Sequence, residues 1–116
     1  MESQNNNLEP VLLWENPNPR STFNAQTISI DTSKYNKFEI VSRTNCTSDI
    51  SNYNICICRK GILNMIYNAI NINVYRNVEI TDSGFIFGDG IYQKGIGTNG
   101  TSSEFAIPTH IYGVKY

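Results

Sequence analysis

The sequence is short of helix formers. Three alanines and four leucines stand among 116 residues, and no stretch repeats apolar side chains at the i, i+3, i+4, i+7 spacing of an amphipathic helix. Charge is scarce too. Nine basic and ten acidic residues leave a net charge of −1. That is too little for the positive field of a nucleic-acid binder or for a polybasic membrane patch, so neither nucleic acid nor membrane is expected as a partner. No run approaches the ~20 apolar residues of a membrane span. The leader Met1–Pro10, "MESQNNNLEP", lacks the basic and apolar regions of a secretory signal, so synthesis in a cytoplasm is expected.

Chemistry-bearing clusters are missing as well. The cysteines are Cys46, Cys56 and Cys58, an odd number in a chain without a signal, which argues against a disulfide framework. Cys56 and Cys58 share one face of a strand with parallel Cβ vectors, a poor geometry for bridging each other. No second ligand cluster accompanies them, so the three are read as buried, small apolar side chains. The single histidine, His110, has no nearby nucleophile or second histidine and reads as a strand residue. Carboxylates are scattered singly, without the facing pair of a glycosidase. Gly88, Gly90, Gly95, Gly97 and Gly100 lack the Lys-Ser/Thr and the helix of a phosphate loop. Asp82 and Asp89 fall outside EF-hand spacing and read as turn formers. No catalytic residue, metal or cofactor is expected.

What is present is β-structure. Ile, Val, Tyr, Phe and Thr recur in short runs cut by Gly, Asn, Asp, Ser and Pro. The pattern predicts strands at Val11–Trp14, Ala25–Asp31, Lys37–Arg43, Asn52–Arg59, Ile62–Tyr67, Ala69–Arg76, Val78–Thr81, Phe85–Phe87, Ile91–Gln93 and Thr109–Tyr116. A bulge is expected at Arg76-Asn77, because one strand from Ala69 to Thr81 would be over-long. Asp82-Ser83-Gly84 and Lys60-Gly61 read as hairpin turns, and Lys94–Glu104 as a surface loop. Forty per cent hydrophobic residues over 116 positions suffice for one domain with a real core. The expected organisation is a flexible arm over residues 1–10, then a single antiparallel β-sandwich over residues 11–116, jelly-roll-like and with little or no helix.

Two features suggest how the surface is used. Sixteen asparagines, with many Ser and Thr, offer donors and acceptors without fixed charge, which suits neutral polar partners such as sugars. Exposed tyrosines beside asparagine suit protein or sugar contact. The candidate surface contacts are Tyr75, Asp89, Tyr92 and Asn99. "LLWENPNP" places the only tryptophan, Trp14, before Pro17 and Pro19. Neither proline can donate to a ladder, so the strand must end there, with Trp14 packed at a corner of the core.

The stretches "LLWENPNP", "STFNAQTISID", "KYNKFEIVSR", "YRNVEITDSGFIFGDGIY" and "AIPTHIYGVKY" resemble a family of small proteins and domains encoded in phages and prophages of low-GC Gram-positive bacteria. The likeness runs over nearly the whole chain after the first ten residues. The Cys-x-Cys strand and the Asn-rich leader depart from it. Its motifs are structural, and no functional residue transfers. The resemblance implies a non-enzymatic virion protein of tail, baseplate, fibre or capsid-decoration type. Such a protein acts in assembly or host attachment, bound to other virion proteins and as a homo-oligomer, with a trimer suggested by the symmetry of fibres. The alternative is a carbohydrate-binding module for host-wall glycans.

Overall fold

A computed structural model describes residues 9–46, 53–69, 72–94 and 98–115. The alternating apolar runs fold into β1 (Val11–Glu15), β2 (Gln26–Ser29), β3 (Lys37–Asn45), β4 (Tyr53–Cys58), β5 (Gly61–Ala69), β6 (Ile72–Thr81), β7 (Gly84–Gln93), β8 (Asn99–Thr101) and β9 (Phe105–Val114). There is no helix among the described residues. One sheet has the order β1-β9-β3-β4. The other has the order β2-β7-β6-β5, with β8 added to β7. Every ladder is antiparallel. The chain is thus the expected all-β sandwich. Its first three strands alternate between the sheets and its last strand returns between β1 and β3. The middle of the chain stays local, as the β3–β4 hairpin and the β5–β6–β7 meander.

Period-two patterning builds the core. Phe38 and Ile40 from one sheet meet Val74, Val78, Ile80, Phe85 and Phe87 from the other, all essentially without solvent contact. Phe38 stands edge-on to Phe85 at 5.4 Å between centroids, and Phe23 edge-on to Phe87 at 5.5 Å. Each such side chain contributes about 1.5–3 kcal/mol of burial.

One buried arginine, Arg76, organises one end of this core. Its Nε donates to the Ala106 carbonyl (2.8 Å), Nη1 to Gly88 (2.6 Å) and Nη2 to Phe105 (2.8 Å). Its guanidinium also lies 5.2 Å from the Phe23 ring centroid. Ala106 has a positive φ of 53°, rare for a residue with a side chain. We attribute it to the demand that successive carbonyls, of Phe105 and Ala106, reach one guanidinium. Gly90 is needed beside it, since a Cβ there would collide with the Ser102 carbonyl and stand 2.7 Å from the Phe105 carbonyl oxygen.

Several expectations need correction. The bulge sits at Asn77, but the extra residue is on β7: Arg76 faces Gly90 and Val78 faces Phe87, leaving Gly88 and Asp89 opposite Asn77. The two runs Phe85–Phe87 and Ile91–Gln93 are therefore one bulged strand. Asp82-Ser83 does close a hairpin, and Gly84 (φ 144°) admits no Cβ because the Ile28 carbonyl occupies that space. Lys60-Gly61 makes no hairpin; Arg59-Lys60 carries the chain from one sheet to the other. The loop expected over Lys94–Glu104 contains β8, whose turn-rich "NGT" pairs with β7. The last strand begins at Phe105, not Thr109. Pro108 is tolerated because β9 there has a ladder partner only on its β3 side, next to a bulge at Thr109. The arm over residues 1–10 lies outside the described residues except for Glu9 and Pro10, as do Asn52, Ile70, Asn71, Gly95, Gly97 and Tyr116.

Candidate functional site

A two-layer sandwich has two open sides, where the edge strands of its sheets face each other. Here β1 stands over β2 on one side and β4 over β5 on the other. Sequence makes the two sides very different.

On the β1/β2 side, the Asn-Pro-Asn-Pro elbow continues where β1 stops. The Asn16 amide N–H donates to the Thr109 carbonyl (2.8 Å), and its side-chain Nδ2 donates to the Pro108 carbonyl (2.9 Å). Its Oδ1 accepts the Asn18 N–H (2.8 Å). One buried asparagine thus satisfies the bulged stretch of β9 and turns the chain, as short amide side chains do. Downstream, the Phe23 N–H donates to the Ser103 carbonyl (2.9 Å), which plants Phe23 between the sheets. Trp14 packs edge-on against Phe23, with 6.1 Å between centroids. Trp14 is only half-buried. It forms one wall of a surface cleft of about 330 Å³ that also involves Asn18, Thr22 and Gln26. The expected core-corner packing is present, and a surface cleft lies beside it.

On the β4/β5 side nothing comparable plugs the gap among the described residues. Neither strand has a ladder partner on its outer edge among the described residues. Tyr53, Ile55, Ile57, Ile62 and Ile66 are 61–71% exposed. The first three lie on the outer face of β4 and the last two on the outer face of β5. Neither strand contains a charged residue. Between the edges lies a cleft of about 270 Å³ reaching Cys56 and Met65. Cys46 is buried as expected, but Cys56 and Cys58 are only half-buried, because no further strand covers the inner face of β4. A hydrogen bond from the Cys58 thiol holds the Cys56 thiol down at about 7, and burial opposes it. The same contact, with burial and the neighbouring charge, pushes Cys58 up.

The four candidate contacts do not form one surface. Tyr75 is half-buried on the outer face of the second sheet, opposite Ile66 and Ile91. Asp89 is exposed at the bulge, and Asn99 is exposed on β8 opposite Gln93. Tyr92 points the other way. It packs on Phe105 with 5.6 Å between centroids, with the Lys94 ammonium 5.6 Å from its ring centroid. Asp82 takes an ion pair from Lys60 at 2.6 Å. The described residues contain no group of three or more His, Cys, Asp or Glu able to hold a metal. His110 lies on the outer face of the first sheet, with Nε2 3.7 Å from a Glu15 oxygen and its ring stacked on Tyr112.

The open edge escapes a reading by alternation alone. In "YNICIC" Tyr and Ile alternate with Asn and Cys, and in "GILNMI" Ile62, Asn64 and Ile66 alternate with Gly61, Leu63 and Met65, so either face can pass for the core face. The usable signal is the absence of charge from Gly61 to Tyr75. Edge strands usually carry Lys or Pro, which discourage pairing with another chain. No protein-family model, no curated protein and no solved structure matches this chain.

Proposed function

We propose that the protein is a non-enzymatic structural subunit that assembles through its β4/β5 edge onto a second copy of itself, in the virion-associated setting that the sequence resemblance implies. The single observation that carries this reading is the uncharged double edge with five exposed Tyr and Ile side chains. Left bare, such an edge is an aggregation site; covered by the same edge of another copy, it becomes an interface. A two-fold axis between the copies sets β4 against β4 and β5 against β5, both antiparallel. Each sheet then continues across the contact, the exposed side chains become cross-strand pairs, and Cys56 and Met65 are covered. Such an isologous contact gives a dimer, or dimers within a larger assembly.

Sedimentation equilibrium tests the contact. Wild type is expected to show a concentration-dependent dimer mass, and Ile55→Lys/Ile66→Lys a monomer mass with the fold kept. A wild type that stays monomeric into the millimolar range, or a double variant that still associates, contradicts the reading. The virion setting has its own test in mass spectrometry of purified phage particles, where many copies are expected and absence counts against it.

A further inference from the structure

The cleft on the opposite side of the sandwich carries an independent inference. Its walls are an aromatic ring and neutral polar groups. Trp14 is held by Phe23 yet keeps part of its indole open to the cleft. Asn16 is rigid, with its amide nitrogen and oxygen both engaged in the elbow. Asn18, Ser21, Thr22 and Gln26 are exposed around the rim. Gln26 Nε2 donates to the Asn24 carbonyl (3.0 Å), which orients the side chain. No residue lining the cleft is charged. At about 330 Å³ the cleft lies at the lower end of the ~300–1,000 Å³ range of small-molecule sites.

We propose that the Trp14 cleft binds a neutral saccharide of one or two pyranose rings. A pyranose has an apolar face of C–H bonds and a rim of hydroxyls that both donate and accept. The indole offers a flat apolar surface to the first. Amides and hydroxyls, which also donate and accept, answer the second. A charged ligand finds no counter-ion here. A proline-rich peptide requires an aromatic-lined groove, and Phe23, the second ring, is only 5% exposed. The cleft and the β4/β5 edge lie on opposite sides, so an assembled protein still presents it, and several copies add avidity to a weak single-site contact.

Trp14 is the only tryptophan, so its fluorescence reports on this cleft. The full chain is titrated with glucose, galactose and N-acetylglucosamine, each as monosaccharide and linear trisaccharide, and with a proline-rich peptide. At least one saccharide is expected to give a saturable change in emission. Gln26→Ala or Asn18→Ala should weaken it about three- to tenfold, the loss of one hydrogen bond. Ile55→Lys/Ile66→Lys should leave it unchanged, which separates this inference from the assembly reading. A flat response to every saccharide, a response insensitive to both cleft variants, or a response to the peptide alone overturns the proposal.

Discussion

The two open sides of the sandwich solve the same problem in opposite ways. Where β1 faces β2, the chain spends residues 16–24 on an elbow that returns Phe23 to the core and ties Asn16 to β9. Where β4 faces β5, two residues cross between sheets and no described residue covers the gap. The first side is closed by the chain itself, and the second is not among the described residues. The difference teaches that turn residues close one side and shape a polar cleft there, while plain, uncharged strands leave apolar side chains exposed on the other.

The comparison can be broken first at Arg76. Arg76→Met leaves the carbonyls of Gly88, Phe105 and Ala106 without their donor and removes the cation from the Phe23 face. We expect a loss of about 3–5 kcal/mol in denaturant unfolding. Arg76→Lys should recover little, because a single ammonium cannot span three carbonyls held by a planar fork. Trp14→Ala comes next. Full burial would predict about 3–5 kcal/mol, but the ring is only partly buried, so roughly 2 kcal/mol is expected. Ile55→Lys/Ile66→Lys should cost the protomer less than ~1 kcal/mol, measured on a dilute sample, since the side chains are exposed before association.

The smallest effect is chemical. The fraction of Cys56 present as thiolate should rise as pH climbs through about 7, not the ordinary thiol range near 9. Alkylation followed by peptide mass spectrometry should show that profile in dilute protein. Cys58→Ala, which removes the donor, should move it upward. A Cys56 that titrates in the ordinary range in both proteins would remove the assigned thiol–thiol contact.

Much of the architecture was legible because period-two alternation survives along β3, β6 and β7, and because Asp82-Ser83-Gly84 has the chemistry of its turn. Chain pairing was less legible. Nothing local to "CRKG" says that the next strand joins the other sheet, since Lys60-Gly61 serves a hairpin or a corner equally well. β8 was missed because Asn99-Gly100-Thr101 has loop composition and becomes a strand only through the open edge of β7. Arg76 interrupts the apolar parity of Val74, Val78 and Ile80; its partners are backbone carbonyls from residues 88, 105 and 106, which no sequence pattern displays. The elbow was correctly placed as a strand terminator, whereas its cleft depends on Gln26 arriving from the other sheet. The open edge was missed because exposure depends on which strand ends a sheet.

Hydrogen–deuterium exchange at several protein concentrations tests the central claim most directly. The account predicts that outward-facing amides of β4 and β5 become protected as concentration rises, while β1 and β2 exchange at a constant rate. Protection of β4 and β5 that is independent of concentration, or concentration-dependent protection at β1 and β2 instead, would contradict it.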